Sequence, residues 1–169
     1  MPVDMKQMIA ETLVKLLEQK SVDKITVKEL VDACGISRQG FYYHFQDIME
    51  VIEWITSQAI QRAVDVSLAA ATPQEAVKAV ILTLGKNRKL IQHLMASQRR
   101  AEIERLLVES MRTYLSKVLR AKAAGLTVKP SDLEAAIHFY SYGLVGMLAE
   151  TLDHEIDADT AADQFCRLL

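Results

Sequence analysis

Membrane-spanning runs are missing from this 169-residue chain: its longest apolar stretches, such as "GLVGMLA", fall far short of the roughly 20 residues a bilayer requires. Met1 to Ala10 has neither the basic start nor the apolar run of a signal peptide, so the expected location is the cytoplasm. The two cysteines, Cys34 and Cys166, are isolated, with no C-x-x-C spacing and no histidine placed for a zinc pattern. A disulfide framework and a structural metal are therefore not expected, and both thiols read as small buried hydrophobes. Charge of one sign is also scarce. A formal net charge of -2 argues against bulk polyanion binding and restricts any nucleic-acid site to a local surface.

With only three prolines and six glycines, little interrupts the chain, and no segment shows sustained period-2 alternation. Apolar residues instead recur at three and four spacings, which makes the expected fold all-α. Met5, Ile9, Leu13, Leu16 and Leu17 form one stripe; Val27, Leu30, Val31 and Cys34 form a shorter one, opened by Thr26 with Glu29 in capping-box register. Gly35 suits a left-handed turn, and Ser37 can cap the next helix. A long helix is expected from about Asp47 to Ala71, with Ile48, Val51, Ile52, Ile55 and Ala59 facing inward. Thr72, Pro73, Gln74 and Glu75 look like a further helix start, followed by helices to about Leu84 and from Arg88 to Ala96. Ile103, Leu106, Leu107, Met111, Tyr114, Leu115 and Val118 mark another. Ser131 with Glu134 is expected to cap a helix running from Asp132 to about Asp153, and Asp157 or Asp159 to cap a terminal one. The module boundary falls near Asp47, giving residues 1–46 and 47–169.

Aromatics make up only 6% of the chain, yet Phe41, Tyr42, Tyr43 and Phe45 stand together beside Arg38, Gln39 and His44. Two short helices around a tight glycine turn form a helix-turn-helix, whose second helix enters the major groove of double-stranded DNA. At about 100° per residue, Arg38, Gln39, Tyr42 and Tyr43 share an arc of about 140°, while Phe41 points to the other side. A core anchor and a polar, aromatic face thus occupy one helix. Arginine suits guanine, glutamine suits adenine, and tyrosine hydroxyls suit phosphate oxygens. Gly40 sacrifices about 1 kcal/mol of helix propensity, which close approach to DNA would explain. Packing of "FYYHF" as plain core is the competing reading; a small three-helix module offers no second core to receive these side chains.

"ITVKELVDACGISRQGFYYHFQD" resembles the DNA-binding domain of TetR-type transcriptional regulators. Thr26, Val27, Ala33, Gly35, Ser37, Phe41, Tyr42, His44 and Phe45 fit the family pattern, over about the first 55 residues. The resemblance implies phosphate contacts from Thr26, Tyr42 and His44, and base-edge or groove contacts from Arg38, Gln39, Gly40 and Tyr43. Val27, Lys28 and Ser37 complete the candidate DNA-binding set. Three positions depart from the pattern. The family commonly has glycine where Gln39 stands, threonine or serine where Gly40 stands, and lysine where Ile48 stands. The first two imply an unusual base preference; the third removes a phosphate contact for which Lys24 or Lys28 could substitute.

In "AAIHFYSYGLVGMLAETL" apolar and small residues fill nearly the whole helix circumference, so a second covering surface is expected. Gly143 and Gly146 permit close backbone approach. The resemblance implies a homodimer through this helix and the terminal one, with Phe139, Gly143, Gly146, Ala149 and Phe165 as interface candidates. It also implies a small-molecule effector held in the body, for which Met95, Met111, Tyr114, Phe139, Tyr140 and Met147 are the candidate lining. His93 reads as a satisfied or exposed side chain instead of a ligand contact. The expected function is a sequence-specific DNA-binding regulator, a repressor controlled by that effector. An activator or a protein-interaction adaptor on the same scaffold is the alternative. A metal-dependent bundle enzyme is the remote one: Glu134 with His138 and Glu150 with His154 have chelating spacing, but the pairs lie about 24 Å apart along one helix. No Ser-His-Asp grouping or phosphate loop is present, so neither catalysis nor a cofactor is expected.

Overall fold

The structure is a computed structural model that describes residues 4–72, 75, 76, 78–80, 87–122 and 129–153, with 160, 163 and 167 singly. Pro73, Gln74, the terminal helix with Asp157 or Asp159, His154, Phe165 and Cys166 lie outside the described residues. Among those described there are seven α-helices, one 3-10 turn at Val22–Lys24 and no strand. The helices are α1 (Met5–Leu17), α2 (Val27–Cys34), α3 (Arg38–His44), α4 (Ile48–Ala69), α5 (Arg88–Met95), α6 (Arg100–Lys122) and α7 (Pro130–Asp153).

Their ends follow from side-chain caps. Asp4 Oδ1 accepts from the amides of Lys6 and Gln7 at the start of α1, and Thr26 Oγ1 accepts from Glu29 N–H at 3.2 Å at the start of α2. Glu29 does not return the box bond: its carboxylate pairs with Lys20. Asp47 caps α4 through the Glu50 amide at 3.0 Å, while the Glu50 carboxylate reaches back to the Gln46 amide. Thr72 Oγ1 accepts from Glu75 N–H at 3.2 Å, and Glu75 accepts from the Ala71 amide at 3.0 Å. The expected Ser131 cap is corrected. Pro130 occupies the first helical position, where its missing N–H costs nothing, and the Lys129 carbonyl takes the amides of Asp132 and Leu133. Ser131 therefore lies inside α7, its hydroxyl turned to Asp132, and Glu134 pairs with Arg120.

The described chain divides into two compact units, Met1–Ser57 with Lys89–Ile103, and Gln58–Arg88 with Glu104–Leu169. In the first, Ile9, Leu13, Leu17, Leu30, Val31, Phe41, Phe45, Val51 and Ile52 are buried, as are Ile91, Leu94 and Met95 of α5. Two hydrogen bonds tie this later segment to the early helices. His93 Nδ1 lies 2.5 Å from the Leu17 carbonyl, an orphan acceptor at the end of α1; because a carbonyl only accepts, Nδ1 carries the proton. Gln98 N–H donates to Asp23 Oδ2 at 2.9 Å. The second unit packs Val64, Met111, Tyr114, Leu115, Val118, Ile137 and Val145 into one apolar cluster. Inside it the Ser67 and Tyr114 hydroxyls meet at 2.7 Å, so neither is left unsatisfied.

Candidate nucleic-acid interface

The turn between α2 and α3 is built by one glycine. Gly35 sits at φ 67°, the left-handed region that a Cβ resists, and this lets Ile36 N–H reach the Val31 carbonyl at 3.1 Å and Gly35 N–H the Asp32 carbonyl at 3.3 Å. The chain leaves α2 closed off and turned. Ser37 then starts α3 by accepting from Gly40 N–H at 3.0 Å. Cys34, expected to be buried, is partly exposed as the last residue of α2, where no further helical turn follows to cover it.

Within α3 one side chain enters the core and the rest meet solvent fully or in part. Phe41 is fully buried, whereas Tyr42 is 57% and Tyr43 84% exposed. Arg38 and Gln39 are exposed as well, and His44 is half-buried with its ring against Tyr43 at 5.0 Å between centroids. Phe41 meets Tyr42 edge-on at 5.4 Å and Phe45 at 6.1 Å, so the buried rings brace the base of the exposed ones. Large polar-tipped side chains held in water by a rigid anchor are available to a partner.

Several of the remaining candidates carry exposed donors. Thr26 and Ser37 are exposed, and each uses its hydroxyl oxygen to accept a backbone amide, which leaves the hydroxyl proton free to donate to an anionic oxygen. Lys28 and Lys24 are exposed, Val27 is half-buried, and Ile48 is a half-buried apolar side chain at the start of α4. Gly40 has open surroundings: a Cβ there would meet only Ser37 Oγ, at 3.4 Å. Nothing inside the chain requires glycine at that position. Lys6, absent from the candidate set, lies with its Nζ 5.2 Å from the centre of the Phe45 ring. No local pattern marks that contact, which joins α1 to the residue after α3.

The body candidates are distributed unevenly. Met111 and Tyr114 are buried in the second unit's cluster, against which Tyr140 packs half-buried, and Met147 is half-buried. Met95 is buried in the first unit. Phe139 is 72% exposed. Setting Ile137 at zero, about 100° per residue puts buried Ser141 and Val145 within about 80°, and Phe139, Tyr142, Gly143 and Gly146 between about 140° and 240°. Both glycines on that outer face are exposed, and a Cβ on either would meet nothing within 4 Å. Ala149 is half-buried. Among the described residues no group of three or more His, Cys, Asp or Glu could hold a metal, and the His138 ring lies tilted against Tyr142 at 5.1 Å between centroids. No helix among them is long and apolar enough to cross a membrane.

A helix-turn-helix with an anchored second helix, followed by a helical body, defines a DNA-binding regulator. Residues 9–53 match the family described as bacterial regulatory proteins, tetR family, and residues 71–169 match its transcriptional regulator C-terminal region. The chain belongs to the TetR family of transcriptional regulators, a non-enzymatic family. It is similar in structure to the dihydroxyacetone kinase operon activator DhaS, with TM-score 0.74 and 15% identity, covering 98% of this chain and 94% of that one. It is also similar to the fatty acid degradation regulator FadR from Bacillus halodurans, with TM-score 0.67 and 16% identity over 99% and 95% of the two chains. A third likeness is to the TetR family repressor AlkX from Dietzia sp. Strain DQ12-45-1b, implicated in biodegradation of n-alkanes, with TM-score 0.59 and 15% identity over 96% and 91%. No curated protein matches the chain in sequence.

Proposed function

We propose that the chain works in the cytoplasm as a homodimeric repressor, reading a near-palindromic operator with two copies of α3 and leaving it when a small molecule binds the second unit. The observation that carries this reading is the division of α3 itself. Phe41 is fully buried while Tyr42 and Tyr43 are 57% and 84% exposed beside Arg38 and Gln39. Arg38 and Gln39 stand at the N-terminal end of α3, from which a recognition helix reaches base edges, and Tyr42, His44 and Thr26 supply phosphate donors. Gly40, which the chain's own packing does not need, leaves room for the groove wall.

Support for pairing comes from the outer face of α7. Phe139 and Tyr142 stand in water around two glycines whose missing side chains leave the backbone accessible. A second copy of the chain would cover that face and set the spacing of the two reading heads. For the effector, a molecule entering the cluster around Met111 and Tyr114 would exchange the Ser67–Tyr114 hydrogen bond for one of its own, which suits an apolar molecule with one polar group. Such a molecule changes DNA affinity by the difference in its affinity for the two arrangements of the dimer. Selection from a random duplex pool is the direct test. Recovered sites should contain two inverted half-sites facing successive major grooves; unpaired half-sites would contradict the dimeric reading, and no enrichment would contradict operator recognition by α3.

A further inference from the structure

We infer that Lys6 is a phosphate-contacting residue of the DNA interface, held in place by the Phe45 ring. Its side chain is half-buried with Nζ 5.2 Å from the ring centre, and the ring itself belongs to a residue only 2% exposed. Phe45 packs against two further rings, Phe41 at 6.1 Å and Trp54 at 6.3 Å between centroids. The ammonium therefore rests on a buried, packed aromatic ring instead of extending freely into solvent.

That surface is well placed. Phe45 is the residue immediately after α3, and a recognition helix that reads bases with its N-terminal residues brings its C-terminal end beside the phosphate backbone. Ile48, which opens α4 three residues later, offers no charge there. The nearest acidic group in sequence, Asp4, is occupied in capping the amides of Lys6 and Gln7, and among the described residues Lys6 forms no ion pair. Lys20 differs, because its ammonium is taken by Glu29. Lys24 and Lys28 are exposed, and among the described residues neither rests on a ring or a carboxylate that would hold it in one position. A cation already immobilised and uncompensated loses little freedom on meeting a phosphate.

The inference rests on the DNA-bound orientation proposed above, and the test keeps the two apart. Anisotropy titrations of the full-length protein on a random-sequence duplex, at several salt concentrations, compare wild type with Lys6→Met, Lys6→Gln, Lys6→Arg and the control Lys15→Met. Lys15 is exposed on the opposite side of α1. Methionine keeps an apolar stem on Phe45 and removes only the charge, and its melting temperature checks the fold. The log–log salt dependence should become shallower by about 0.9 per chain, about 1.8 per dimer, so that the affinity lost is about tenfold greater at 50 mM than at 200 mM salt. Lys6→Gln should behave alike, Lys6→Arg should restore the slope, and Lys15→Met should leave it unchanged. A wild-type slope in folded Lys6→Met or Lys6→Gln overturns the inference alone, as does an equal change in Lys15→Met. A wild-type protein without salt-dependent binding overturns the orientation on which it rests.

Discussion

Replacing Gly40 by alanine separates the requirements of the fold from those of the interface. Within the chain the new Cβ meets only Ser37 Oγ, at 3.4 Å, an ordinary contact that leaves the 3.0 Å cap bond from the residue's own amide intact. The backbone there is helical, so alanine removes the conformational freedom that glycine keeps in the unfolded chain. The folded state should gain up to about 1 kcal/mol, which raises Tm by about 2 to 4 °C for a chain of this size. Bound to DNA, the same methyl group projects from the reading helix between Gln39 and Phe41. Displacing that helix from the groove should cost about 1 to 3 kcal/mol, a loss of about fivefold to more than a hundredfold in affinity. Thermal unfolding and titration of a selected duplex measure the two effects on one preparation. A stabilised Gly40→Ala that binds with wild-type affinity would refute the close approach of α3 at this point. A destabilised one would refute the claim that the chain itself has room.

Other substitutions test neighbouring parts. Gly35→Ala meets no atom within 4 Å, so its cost is backbone strain at φ 67°, about 1 to 2 kcal/mol by urea unfolding; no loss would contradict the left-handed turn. Burial holds the Tyr114 phenol above its ordinary value of 10.0, and the Ser67 hydrogen bond only partly offsets this. The folded pKa is thus raised, so its stabilising effect is complete below about pH 10 and is lost as pH climbs through the folded value. Tyr114→Phe should remove this part of the alkaline instability and cost about 1 kcal/mol at neutral pH by orphaning Ser67. Equal alkaline slopes in wild type and variant would refute the assignment. Gly146→Leu adds a side chain where a Cβ meets nothing within 4 Å and so fills the outer face of α7. It should yield a folded chain with weaker self-association by sedimentation, and a wild-type monomer at micromolar concentration would contradict the dimer.

Most of the molecule's structure that is legible in its sequence is local. Thr26, Ser37 and Thr72 announce their helices because a cap needs only its own oxygen and an amide three residues on. The angular gap between Phe41 and the arc from Arg38 to Tyr43 reappears as burial against exposure, since helical periodicity alone sets it. Ser131 misleads because two cap signals compete, and Pro130 moves the start upstream. The Asp47–Glu50 cap stands in the sequence in the same register as the others. Long-range partners are not so encoded. That His93 takes the Leu17 carbonyl, that Asp23 takes the Gln98 amide, and that Lys6 rests on Phe45 all depend on which acceptors and rings stay uncovered once the helices pack.

The division of work along α3 is tested by titrating Gln39→Ala, Arg38→Ala and Tyr42→Phe against single-base variants of a selected operator. Gln39→Ala and Arg38→Ala should each cost about 1 to 3 kcal/mol on the cognate site and flatten preference at particular base pairs. Tyr42→Phe should weaken cognate and altered sites by the same factor, because a phosphate contact carries no base information. Uniform weakening by Gln39→Ala together with altered base preference in Tyr42→Phe would reverse the assignment of the reading face.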